Sequence, residues 1–110
     1  MTDIELDIFS GRPNPLWRAN ASDAEFLARR LAELPPVGKW GAAKPSPDGL
    51  GYRGFVIRRY DADGQPLPPI RIYQGRVTEA QLACSAPPGL EAWLIQQAGQ
   101  HGWADAVRGL

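Results

Sequence analysis

Within the eleven residues DIFSGRPNPLW (7–17) the chain places a carboxylate (Asp7), a guanidinium (Arg12), a carboxamide (Asn14) and an indole (Trp17). The planar fork of arginine suits carboxylates and phosphates, so the set has the groups needed to anchor an anionic ligand. The backbone that carries them is stiff. Pro13 drives Arg12 into an extended conformation, Pro15 does the same to Asn14, and Gly11 allows a sharp turn out of the preceding segment. Groups fixed in advance lose less entropy on capturing a ligand. Trp17 would then be an apolar wall. The same residues also suit a purely structural arrangement, with Arg12 paired to Asp7, Asn14 capping a turn and Trp17 filling the core.

Glu5 and Asp7 share one face of an alternating segment, about 6–7 Å apart by strand rise. Such a pair can serve acid–base chemistry, with Asp7 as base and Arg12 as electrostatic stabiliser. Pairing across a sheet with Arg53, Arg59 or Arg71 is the plainer expectation. A Cys84–His101 dyad is the nucleophilic alternative. Each has a simpler role: Cys84 in packing, His101 at the end of a helix dipole. One cysteine allows neither an internal disulfide nor a cysteine-built zinc cage. DADG (61–64) opens like a calcium loop, but its glycine comes fourth rather than sixth. Ile72 also stands where the closing glutamate belongs, so a turn is expected. The glycines at 49, 51 and 54 precede a strand and not a helix, which excludes the usual phosphate loops. No metal or cofactor is expected.

The elements that must position these groups follow from period and punctuation. Ile4, Leu6 and Ile8 alternate with polar neighbours as in a half-buried strand. SDAEFLARRLAEL (22–34) predicts a helix that opens on a Ser22–Glu25 capping box and stops at Pro35-Pro36. Residues 35–51, with Trp40 in their middle, are dense in Pro and Gly, without period, and long for a connection, as in a functional loop, such as a lid, or a mobile one. Residues 51–60 and 69–77 read as strands of a hairpin turned at Asp61–Gly64. Pro68 and Pro69 place the start of the later strand at a sheet edge, open to an added peptide strand. Residues 87–102 predict a second helix with Leu90, Trp93, Leu94 and Gln97 along one face. The expected architecture is one α+β domain over 1–110, a small antiparallel sheet of three or more strands in the order β-α-β-β-α, packed with two helices.

Composition bounds the partners. The 110 residues suit one domain, and 44% apolar content with four tryptophans suits a packed core. Twelve basic residues balance twelve acidic ones, so no general field draws nucleic acid or an anionic membrane. Ten of the twelve basic residues are arginine, a bias that gene composition alone would explain. MTDIELDIF has no signal-peptide pattern, and no run approaches the ~20 apolar residues of a membrane span, so a cytoplasmic location is expected.

FSGRPNP-x-W (9–17) and GLGYRGF (49–55) together resemble a group of small uncharacterised bacterial proteins that carry the same two blocks. The likeness covers these two short blocks of the chain and brings no reaction or cofactor with it. It implies one site, with Tyr52, Arg53 and Phe55 beside Arg12, Asn14 and Trp17. The leading expectation is a non-enzymatic binding or accessory module, such as the partner subunit of a modifying enzyme. It would recognise an extended peptide or a carboxylate-bearing small molecule. Asp7, Arg12, Asn14 and Arg53 would be the polar contacts, with Trp17, Tyr52 and Trp40 as apolar walls. The alternatives are the small Asp7/Arg12 enzyme and a homodimer joined through its arginine-bearing sheet face or exposed tryptophans.

Overall fold

Short apolar runs separated by tight turns build a sheet of many short strands. The computed structural model describes residues 1–9, 11–43 and 51–110. In chain order these form β1 (Thr2–Leu6), β2 (Leu16–Arg18), α1 (Ala21–Ala32), β3 (Gly41–Ala42) and β4 (Phe55–Arg59). Then come β5 (Ile70–Tyr73), β6 (Arg76–Glu79), β7 (Leu82–Ser85) and α2 (Leu90–Ala98). All seven strands join one antiparallel sheet in the spatial order β2-β1-β4-β5-β6-β7-β3. The expected β-α-β-β-α order with a small sheet is therefore wrong. The protein is a sheet-rich small domain, with two strands before α1, five between the helices and α2 after the last strand.

The largest departure lies in 69–77, which is two strands and not one. Gln74 (φ 51°) and Gly75 (φ 76°) are both left-handed, the signature of a two-residue type I′ hairpin joining β5 to β6. A second two-residue loop, Ala80-Gln81, joins β6 to β7, with Ala80 at φ 53°. These reversals place β5 inside the sheet, between β4 and β6, so the edge expected at Pro68-Pro69 does not exist. The edges are β2 and β3, of three and two residues. Edges this short offer little template for stray pairing. The hairpin between β4 and β5 forms as expected, and Asp61 Oδ1 holds its tip by accepting from the N–H groups of Asp63 and Gln65, both at 2.9 Å.

Helix α1 begins two residues earlier than the capping box predicts. Its N-cap is Asn20, whose side chain accepts from the Asp23 N–H at 2.7 Å. Helix α2 runs to Ala98 and passes into a π turn, Gly99–Trp103, which Gly102 breaks at φ 91°.

Register assembles the core. Ile4, Ile57 and Ile70 lie in one cross-strand row, and Leu6, Phe55, Ile72 and Val77 in the next. Both helices lie on this apolar face, α1 through Leu27 and Leu31 and α2 through Leu90, Leu94 and Ala98. The opposite face carries Asp3, Glu5, Arg58, Arg71 and Thr78 in a charged ladder. At Gly54 (φ 99°) the chain crosses so close to β5 that a Cβ would lie 2.4 Å from the Ile72 carbonyl oxygen. Only glycine fits there.

Candidate functional site

Pairing between the first strand and the fourth continues past Leu6. The Asp7 N–H donates to the Gly54 carbonyl at 2.9 Å, and the Arg53 N–H donates to the Asp7 carbonyl at 2.7 Å. This brings the Tyr-Arg-Gly segment beside the SGRPNP loop. Asp7 then serves as a hub. Arg53 Nη2 lies 2.8 Å from its Oδ1, and Arg71 Nη1 lies 2.8 Å from its Oδ2. Arg71 Nη1 also donates to the Arg53 carbonyl at 2.7 Å. Asn14 Nδ2 donates to Glu5 Oε2 (3.1 Å) and Asp7 Oδ1 (3.3 Å), while its Oδ1 accepts from the N–H groups of Ile8 (3.1 Å) and Phe9 (2.8 Å). Glu5 completes the network by pairing with Arg58 at 3.0 Å. Strand alternation decides that partner: Arg58 shares the face of Glu5, whereas Arg59 points to the helix side.

Burial pushes the Asp7 carboxyl upward. The hydrogen bond and charge of Arg71, with the charge of Arg53, outweigh it and hold the group below its ordinary value of 3.8. Asp7 is thus ionised near neutral pH and already paired with two guanidiniums, which counts against the acid–base expectation for it.

The other expected residues part company. Arg12 is exposed, its guanidinium carbon 3.6 Å over the Phe9 ring, and Phe9 meets Trp103 edge-on at 6.4 Å. Trp17 is buried and stacks on His101 at 5.1 Å, so its indole is part of the core and walls no ligand site. Tyr52 donates its hydroxyl to Glu91 of α2. Burial first, then that carboxylate, raises its pKa far above the ordinary value. Glu91 also accepts from the N–H groups of Gln74 (3.1 Å) and Gly75 (2.9 Å), fastening the β5–β6 turn to the helix. Of the six expected site residues, Asp7, Asn14 and Arg53 meet; Arg12, Trp17 and Tyr52 do not join them. Ser10 of the loop and residues 44–50 of the expected lid lie outside the described residues.

The Cys84–His101 dyad is also excluded. Cys84 stands on β7 opposite Val77, whereas His101 stacks on Trp17 of β2. Five strand spacings separate them, about 24 Å. Burial raises the Cys84 thiol as well, with Arg76 opposing only in part.

A second place was not anticipated. Where α1 stops, Pro35-Pro36 turn the chain away from the sheet and a 3-10 turn, Val37–Lys39, carries it to Trp40. Trp40 Nε1 donates to the Pro35 carbonyl at 2.8 Å, which fixes the indole. A cleft of about 300 Å³ opens there, between the end of α1, the segment that follows it and the sheet. Leu31, Pro36, Val37 and Trp40 form its walls, Ile70 its floor, and two charged residues, Arg59 and Glu79, reach into it. Register explains both. Arg59 lies opposite Thr2, and Glu79 opposite Ile70, on the face turned towards α1. Arg59 Nε is buried with no hydrogen-bond partner, and among the described residues neither Arg59 nor Glu79 forms an ion pair.

Charged side chains at core-face positions of β4 and β6 were the available signal. It has meaning only once the register is known. Among the described residues no helix is long and apolar enough to cross a membrane, and no group of three His, Cys, Asp or Glu is placed to hold a metal ion. Compared with family models, with curated proteins and with solved structures, the chain matches none.

Proposed function

We propose that the protein is a non-enzymatic binding module that takes a carboxylate-bearing ligand, a small molecule or the end of an extended peptide, in the cleft beside α1. One observation carries this reading: Arg59 presents a guanidinium to an apolar cleft with no acid of the described chain to receive it. Arg18, Arg53, Arg58 and Arg71 all have carboxylate partners. Arg59 is half-buried with its Nε shielded, and a carboxylate can answer such a charge through two parallel hydrogen bonds. Apolar walls with a few placed polar groups are the usual make-up of small-ligand clefts. In this reading the SGRPNP loop is scaffold. Asn14 is spent on Asp7, Glu5 and the turn itself, and Arg12 lies over Phe9.

The test is an NMR titration with 4-methylpentanoate, using its amide as the neutral control. Amide-proton shifts should cluster at residues 28–40, 59, 70 and 79 for the acid only, and Arg59→Gln should remove them. Equal response to acid and amide, or shifts gathered instead around Arg12, would overturn the assignment.

A further inference from the structure

We infer that the ligand of this cleft is a zwitterion, an apolar amino acid or a dipeptide, whose ammonium group is received by Glu79. The inference rests on the cleft reading above and adds the second charge. Two opposite charges line one small apolar space, yet no nitrogen of Arg59 comes within ion-pair distance of a Glu79 oxygen. Their positions say why. Ile57, Ile70 and Glu79 form one cross-strand row, and Arg59 lies two residues beyond Ile57 on the strand twice removed from Glu79. Strand spacing and rise then put the two Cα atoms about 12 Å apart, with Ile70 between them. An arrangement that holds a cation and an anion apart across an apolar floor is complementary to a molecule carrying both charges and an apolar body. A lone carboxylate would leave Glu79 unanswered in a half-enclosed site, and a buried polar group without a partner disfavours binding.

Size limits the candidates. A volume of about 300 Å³ lies at the low end of small-molecule clefts. Leu31, Val37 and Trp40 would cover the apolar side chain, while Arg59 takes the carboxylate. Free amino acid and dipeptide share this chemistry and differ in the distance between their charges.

Calorimetric titration of the full chain separates these cases with four probes: leucine, leucyl-leucine, 4-methylpentanoate without the ammonium, and 3-methylbutan-1-amine without the carboxylate. One of the two zwitterions should bind about tenfold more tightly than 4-methylpentanoate, the gain of one charged hydrogen-bonded contact. The amine should bind more weakly than either zwitterion. Glu79→Gln should cost the zwitterion about the same factor, while Arg59→Gln should abolish binding of every carboxylate. A preference for leucine over leucyl-leucine, or the reverse, identifies the source. If 4-methylpentanoate binds as tightly as both zwitterions, the role of Glu79 is wrong and the carboxylate cleft stands. If no carboxylate binds, both readings fall. The probe series uses the unaltered protein, so it decides even if a variant does not fold.

Discussion

Arg71 and Asp7 are 64 positions apart in the chain, yet Nη1 of the first lies 2.8 Å from Oδ2 of the second. Arg53 takes the other carboxylate oxygen, so one acid holds together β1, β4 and β5. Asp7→Asn keeps the shape and removes the charge, leaving two guanidiniums facing each other. Removing one member of a fully buried pair costs about 3–5 kcal/mol, and the partial exposure of both arginines reduces this. A loss of about 1–3 kcal/mol is expected in urea denaturation. An unchanged midpoint would mean the network contributes nothing net.

The same pair sets an acid limb. The native Asp7 pKa lies below 3.8, so the folded state binds fewer protons than the unfolded chain as the pH falls through that region. The contribution of Asp7 is therefore complete above about pH 5 and disappears as pH drops through the native pKa. The stability gap between wild type and Asp7→Asn should narrow steadily towards acid. A gap of constant size down to pH 2 would contradict the assigned ion pairs.

Asn14 carries four hydrogen bonds, two of them from backbone N–H groups that nothing else in the turn would receive. Asn14→Ala should cost about 1–3 kcal/mol through those unsatisfied donors. Asn14→Asp keeps the accepting oxygen but sets a third carboxylate beside Glu5 and Asp7. Its deficit should grow as the pH rises from 4 to 7, above the range in which most of the Asp7→Asn deficit develops. Parallel behaviour of the two Asn14 variants across pH would count against the contacts to Glu5 and Asp7.

Gly54→Ala should be the most damaging glycine-to-alanine change among the described residues. Its Cβ would fall 2.4 Å from the Ile72 oxygen and 2.7 Å from Tyr73 Cβ, at a φ of 99° that side chains rarely adopt. Backbone surrounds it on the β5 side, so relief requires parting two central strands. A thermal midpoint more than about 10 °C below wild type is expected, or failure to accumulate as folded protein. A midpoint within about 2 °C would show that the strands can separate there at little cost.

Helix α1 was legible because Leu27 and Leu31 keep helical spacing over a capped segment, although Asn20 displaced Ser22 as the cap. The β4–β5 hairpin was legible from its Asp-rich, Gly-ended turn. The split between β5 and β6 was hidden because Gln occupies a left-handed position usually held by Asn or Gly. Strands β2 and β3 are too short to show any period, and LACS in β7 does not alternate. At the site, local stiffness singled out Asn14 but said nothing of direction. Its amide turned inward, Trp17 sank into the core and Arg12 lay down on Phe9. The Arg59–Glu79 cleft depends on pairing between distant strands, which no window of sequence contains.

The first strand spends its life between two neighbours made at different times. One, β2, leaves the ribosome about ten residues later; the other, β4, begins nearly fifty residues behind. Until then the growing polypeptide holds only a two-stranded ribbon and a helix, without the central rows of Phe55, Ile57, Ile70 and Ile72 to pack upon. Assembly of the sheet therefore waits until β4 and β5 have been made, and so many long-range pairings place the protein among the slower folders of its size.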